Sequence, residues 1–540
     1  MGEVSKSRRL FLTALGTTIV GIGIGYAIGY LSKPAEIVEK TITSTATKTV
    51  TVTPGVTPPP VGLSGAAARA LEGVRDLLNR GVITPGTTIK ILHVAGSRAQ
   101  LEKAIELWRQ YVPEVNVELI TLGQEPDVYT KAMAEAVTKA GTFDIVTIFS
   151  TWLGDIVEAG LAKSLDEYYA KYDPEYTGPC APIEPLGSYV TIYKGKRYSV
   201  VLDSDVFTLS YRKDLIENPT YKSEFRAQYG KDLKVPDTWE DLIDMAEFFY
   251  NKNLTAPSGG RVYGAYFYAE PAFAAYITWL NIFIEAGGIP FDLETMDPRV
   301  DTPEGRYAFD IMLRLKPYMP PEAITAGWAD LYDKFIKGET VFTAAWPSLT
   351  KEAMRPTSLV KDVAGSALLP GVVVDGKLIR AAPNPVNWVG VVSNYSRYPE
   401  LSYLFLQFAT APDIGLDVIL SGVILDLFRE CWFKDPAYRP KSAEGYGEEF
   451  IDVYMESLRI SFPDILIRGG PEYLSKLTTE VNSVMAGIKD PEVALSDVSA
   501  EWDSITRKYG VDTQLEAWRG LAQLFPDDVK DVWRAKGYMK

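Results

Sequence analysis

From Leu10 to Leu31 the chain carries no charged residue. About 20 such residues span the hydrocarbon layer of a bilayer, and only a helix satisfies its own backbone there. Secretory signal cores are usually shorter. No A-x-A-like cleavage site follows the run, and no cysteine precedes Cys180, which excludes a lipid-modified cysteine anchor. A retained membrane helix is therefore expected within residues 1–33. Lys6, Arg8 and Arg9 lie before the run and only Lys33 follows it closely, so the remainder of the chain is expected outside the cytoplasm. Residues 34–61 are rich in Thr and Pro, a composition that cannot bury a core and reads as an extended linker.

The start Ser7 to Leu12 (SRRLFL) resembles the signal of the twin-arginine export route, which carries folded proteins. Gly21, Gly25 and Gly29 either open one helix face to a second helix or merely temper the apolar run. The GIGIG string there follows no strand, so it is not a dinucleotide loop. Asn253 and Asn394 begin glycosylation triplets.

Residues 62–540 are long enough for two or three domains. A formal net charge of −15 argues against nucleic acid or an anionic membrane surface as the main partner. Cys180 and Cys431 either bridge in an oxidising exterior or stay apart. The one histidine, His93, cannot build a zinc site with two scattered cysteines, and it falls within a predicted strand rather than on a catalytic loop. No P-loop is present, no spacing singles out a carboxylate pair for glycoside hydrolysis, and no cofactor or metal is implied. The expectation is a chain that is not an enzyme. A structural or adhesive surface role stays open.

Alternating elements follow. Thr88–Val94 has strand composition, and Leu101, Ala104, Ile105 and Trp108 then repeat at helical spacing. Strands are predicted at 115–122 and 143–149, with a helix over 129–140 between them. This alternation implies a largely parallel α/β sheet. Helices are predicted over 71–80, 239–250, 276–286 and 399–410, with a strand over 388–392.

The order of these elements, with GTFDIV (141–146), EAGL (158–161), Asp205 to Asp214, VPDTWEDL (235–242), Gly287-Gly288, FIKGET (335–340), Ala345-Trp346-Pro347, Trp388-Val-Gly and Phe405 to Phe408, resembles extracellular solute-binding proteins of ABC importers, family 1, the sugar-binding branch that includes the maltose-binding protein. The resemblance covers residues 87–510. It implies a type II two-lobe clamshell with ligand in the cleft, delivery to ABC permease subunits, and hinge closure. Carried onto this chain, it gives lobe one 62–205 and 370–428, lobe two 206–369 and 429–540, and hinges near Ser204, Pro370 and Asp426. The last thirty residues lie beyond the match and read as a packed amphipathic helix or a docking surface, and 428–447 as a lid or a surface insertion.

Sugar recognition calls for flat apolar ring faces beside fixed hydroxyl partners. The resemblance points to Ser97, Arg98, Trp152, Asp205, Trp346, Asn387, Trp388 and Tyr473 as ligand contacts, with Trp279 a further aromatic. Ser97 is equally a helix cap, and Trp152 and Trp388 are equally core. Thr151 and Trp152 stand where the maltose-binding protein has charged contacts, so the ligand class is an oligosaccharide or polyol other than maltose.

Overall fold

The computed structural model describes residues 63–272 and 274–540. The apolar run at 10–31 and the linker lie outside the described residues. Among those described, no single helix is long and apolar enough to cross a membrane.

Nine strands build two sheets: β1 (Thr88–Val94), β2 (Asn116–Leu122), β3 (Ile145–Phe149), β4 (Ser199–Val201), β5 (Thr208–Arg212), β6 (Tyr263–Tyr266), β7 (Thr340–Ala345), β8 (Ala364–Ala367) and β9 (Trp388–Val392). The first lobe's sheet runs β2-β1-β3-β9-β4 and the second's runs β8-β5-β7-β6. The predicted parallel order holds for β2, β1 and β3. It fails at β9, which lies antiparallel to both neighbours because it enters from the opposite lobe, pairing Trp388 with Phe149. The second sheet is mixed, with β5 antiparallel to β7 and β8.

The extra helix ahead of β1 spans Gly65–Asn79, capped by Ser64, whose hydroxyl accepts from Ala67 N. Its buried stripe includes Ala66, Ala70, Leu71, Val74 and Leu77, the i, i+3/i+4 pattern of a helix with one face inward. It packs on Pro399–Ala409, and a Cβ at Gly73 would come within 2.8 Å of Leu404, so only glycine allows this approach. On the same side Trp108 meets Phe405 and Phe408 edge-on.

The first link between the lobes runs from β4 through Asp203 to Phe207 into β5. The expected return at Pro370 lies further along the chain. Gly371 bridges Thr238, Arg380 pairs with Asp237 at 2.7 Å, and Ala381 N donates to the Glu285 carboxylate, all on second-lobe elements. The crossing falls instead at Asn384 to Asn387, where Val386 adopts φ +53° and Ser150 N donates to Asn387 O.

Cys180 and Cys431 are joined in a disulfide. Beside it the buried Arg429 guanidinium donates to the carbonyls of Pro174, Glu175, Cys180 and Thr410. Residues 428–447 form a surface segment anchored on one side, with Lys434 to Ala437, Pro440, Lys441 and Glu444 exposed. Helices Glu430–Lys434 and Arg439–Tyr446 pack into the body, with Cys431, Trp432, Phe433 and Tyr446 buried.

The last thirty residues form the helices Val511–Ala522 and Asp527–Ala535, whose Trp518 and Trp533 indoles donate to Phe291 O and Gly288 O. They brace the second lobe. Trp518→Ala should therefore destabilise the chain by about 3–5 kcal/mol, the usual cost of truncating a buried tryptophan. Denaturant unfolding measures this, and a loss below about 1 kcal/mol would show the extension to be dispensable.

Candidate ligand cleft between the lobes

Strand ends from both sheets converge where the chain crosses between lobes. The edge of the first sheet presents the turns after β1 and β3 and the start of β9, a place where open α/β sheets commonly bind ligands. Along it the rings form a continuous chain. His93 lies 5.4 Å from Trp388, Trp388 4.4 Å from Phe149, Phe149 4.8 Å from Trp152, and Trp152 5.2 Å from Tyr129. The second lobe contributes Trp346, just after β7, set against Phe207 at 4.9 Å and Tyr268 at 5.2 Å.

Asp205, Asn387, Trp388, Trp152, Ser97 and Trp346 are all brought to this junction. Trp152 and Asp205 each keep 7 % of their surface exposed and Trp346 keeps 6 %, more than Ser97 and Asn387, which are enclosed. The Ser97 hydroxyl caps no helix amide but bonds His93 Nε2 at 2.7 Å, while His93 Nδ1 lies 2.5 Å from the Thr147 hydroxyl. Burial lowers the His93 pKa to about 4, which keeps the ring neutral at pH 7. Asn387 accepts from Asp205 N at 2.8 Å and donates to Asn384 O at 3.0 Å, and so orients Asp205 from behind.

Three expected contacts lie elsewhere. Arg98 points outward, its guanidinium on Glu102 at 2.7 Å one helical turn on. Trp279 is enclosed in the second lobe, stacked on Phe283 at 4.9 Å with its indole donating to Gly305 O. Tyr473 is buried beneath the C-terminal helices, bonded to Thr506 and Gln514. Aromatic residues at helical spacing fill cores as readily as clefts, and sequence alone does not tell the two apart.

Beside the expected Asp205 stand Asp203, which was not expected at the site, and Asp426, which was expected only as a hinge. Asp203, Asp205 and Asp426 each bring a carboxylate oxygen within 4.8 Å of the others. Burial, with Asp426 facing it, pushes Asp203 up to about 7; burial and the same neighbours hold Asp205 well above the ordinary carboxylate range. Burial also raises Asp426, against the opposing pull of Lys351, whose Nζ lies 2.9 Å from Asp426 Oδ1. The D-S-D spacing places Asp203 and Asp205 near each other along the chain, and the resemblance sets Asp426 at another hinge; nothing in the sequence brings Lys351 to them.

A further contact joins the lobes. Asp155, on the helix Leu153–Glu158 after Trp152, accepts from Tyr129 OH at 3.0 Å and from Gly469 N at 2.8 Å. A Cβ on Gly154 would meet Arg468 N at 2.9 Å, so glycine permits this close approach.

The sequence pattern of the bacterial extracellular solute-binding protein family matches residues 95–415. The chain belongs to this family. The maltotriose-binding protein of Pyrococcus abyssi (strain GE5 / Orsay) is 24% identical over 322 residues, 57% of this chain and 61% of that protein. The chain spans about three fifths of the length of the curated relatives it matches. Among solved structures, an ABC transporter solute-binding protein from Agrobacterium radiobacter K84 in complex with ribitol superposes with TM-score 0.63 at 21% identity, covering 78% of this chain and 99% of that one. The maltose-bound MalE3 of T. maritima gives TM-score 0.63 at 20% identity, covering 78% of this chain and all of that one. These likenesses establish the two-lobe fold.

A residue bonded to the second crossing carries a pH signature. Asp464 accepts from Tyr276 OH at 2.8 Å and Val386 N at 3.2 Å, yet burial outweighs both and lifts its pKa from the ordinary 3.8 to about 7. A carboxyl raised on folding contributes stability that is intact below about pH 4 and lost as pH rises through about 7. Asp464→Asn, which cannot ionise, should gain on the wild type across that window by an amount of order 4 kcal/mol. Parallel unfolding curves at pH 4 to 8 check this, and a constant difference between the two proteins refutes it.

Proposed function

We propose that this solute-binding protein captures a carbohydrate, an oligosaccharide or polyol, between its lobes and delivers it to ABC permease subunits in the membrane. The observation that carries the reading is the gathering of aromatic rings at the ends of both sheets, Trp152 and Trp388 in the first lobe and Trp346 in the second, with Asp205 on the chain that links the two sheets. Ring faces suit the C–H surfaces of a sugar, and a carboxyl group, which accepts and when protonated also donates, suits its hydroxyls. The maltotriose-binding relative and the ribitol- and maltose-bound structures support the same solute class.

These residues are buried, so a solute reaches them only when the crossings at 203–207 and 384–387 let the lobes part. The lobe division 62–205 with 370–428 and 206–369 with 429–540 enters this reading with its second boundary moved to about residue 385. The segment 10–31 serves as a membrane tether, reached by twin-arginine export, holding the body at the extracellular face of the membrane through the linker 34–61.

Thermal unfolding of the full chain against oligosaccharides, polyols, amino acids and peptides tests the proposal. A solute at 100 times its Kd should add about 2.7 kcal/mol of stability. Trp346→Ala and Asp205→Ala should each weaken that solute at least about tenfold, some 1.4 kcal/mol, whereas Arg98→Ala should not change its affinity. Silence across the panel, or wild-type affinity in both cleft variants, would overturn the assignment.

A further inference from the structure

We propose that Asp155 is a latch between the lobes: its carboxyl holds the second-lobe turn 468–470 against the Trp152 end of the first lobe, and so helps set how far the lobes stand apart. The latch rests on the two-lobe fold and not on the identity of the solute.

The first ground is an amide left over at a helix start. The helix Gly470–Met485 belongs to the second lobe, where Asn482 Nδ2 donates to Ala269 O and Ile324 O. The opening amides of a helix lie beyond its internal ladder and need partners from elsewhere. Here Gly470 N donates to Ile467 O, Pro471 has no amide hydrogen, and Glu472 N donates to Gly469 O. Gly469 N remains. A side-chain oxygen of the preceding residue usually caps such a start. Gly469 has no side chain, and its own amide donates across the lobes to Asp155 Oδ1 at 2.8 Å.

The second ground is the fit of the two backbones. Gly154 lies on the first-lobe helix Leu153–Glu158, and a Cβ there would meet Arg468 N at 2.9 Å, Ile467 C at 3.0 Å and Arg468 Cα at 3.2 Å, all in the second lobe. A Cβ on Gly470 would in turn come within 3.0 Å of Thr151 O. Glycine on both sides lets the lobes meet closely enough for the carboxyl to reach the amide.

The third ground is that each half is held by its own lobe. Tyr129 OH donates to Asp155 Oδ2 at 3.0 Å, and the Tyr129 ring lies 5.2 Å from Trp152. On the other side Gln514 Nε2 donates to Arg468 O at 2.8 Å, and the Arg468 guanidinium lies 4.9 Å over the Tyr509 ring. Gln514 comes from the helix Val511–Ala522, so the C-terminal extension shapes the second lobe's half of the contact. Groups already oriented lose little freedom when they join.

The test uses the full chain in detergent, free of solute, with nitroxide labels on Gln124→Cys in the first lobe and Asp512→Cys in the second. Both positions are exposed, and Cys180 and Cys431, joined to each other, take no label. Pulsed electron paramagnetic resonance reads the distance between the labels. Asp155→Ala should raise the ratio of parted to joined lobes at least about tenfold, the scale of a hydrogen bond to a carboxylate. Gly154→Ala leaves the carboxyl in place but sets a methyl group between the backbones, and it should lengthen the separation too. Asp155→Asn keeps an oxygen for Gly469 N and should stay nearer the wild type than Asp155→Ala. A wild-type distance distribution in Asp155→Ala overturns the latch; if that variant fails to fold, a wild-type distribution in Gly154→Ala does so. Equal widening in Asp155→Asn and Asp155→Ala also overturns it, by placing the effect in the lost charge. Because no solute is present, failure here leaves the solute proposal standing, and a silent solute panel leaves the latch.

Discussion

Two lobes with separate sheets have to be joined by chain that crosses between them under cover, and a buried backbone needs partners for its amides and carbonyls. Those partners come from a few polar side chains. Ser204 Oγ donates to Leu427 O, and Tyr454 OH stands within reach of Ser204 O at 3.0 Å and Leu427 O at 2.8 Å. Asp203 accepts from Asp426 N, and Asn387 accepts from Asp205 N. One crossing is thus held to the next by side chains that belong to the crossings themselves. The acidic groups used for this sit where water is scarce, and their charge becomes the dominant local fact.

The surroundings are arranged to keep that junction in place. The disulfide and the Arg429 guanidinium fasten residues 174–181 to the segment just beyond Asp426. The C-terminal helices close over the second lobe through Trp502, Trp518 and Trp533. Against this fixed frame the aromatic edge is a surface set by two independent bodies, Phe149, Trp152 and Trp388 on one and Phe207, Tyr268 and Trp346 on the other. The solute capture proposed for this cleft calls for rotation at the crossings, with each ring keeping its own neighbours.

Local pattern made much of the fold legible. The strands Thr88–Val94 and Trp388–Val392 and the helices at 239–251 and 399–409 stand within a residue of where periodicity places them. The direction of β9 was not legible, because composition marks a strand without saying which way it enters a sheet. For the same reason the second crossing lies near residue 385 instead of 370: the hairpin Val372–Val374 with Lys377–Ile379 reads as strand, and only its docking on Thr238 and Glu285 assigns it a lobe.

The site divides along the same line. Trp152, Trp346 and Asp205 follow strand ends and Trp388 starts β9, positions that the family resemblance had pointed to. Trp279 and Tyr473 failed because an aromatic residue's face is chosen by what packs on it, and Arg98 because a neighbouring Glu102 one turn away offers a nearer partner than any ligand. By itself the sequence determined the order of strands and helices, the family, and the residues at the strand ends, since these depend on interactions close along the chain. Only the tertiary structure decided which carboxyls share one dry space, because Asp203, Lys351 and Asp426 are distant in sequence and meet through packing alone.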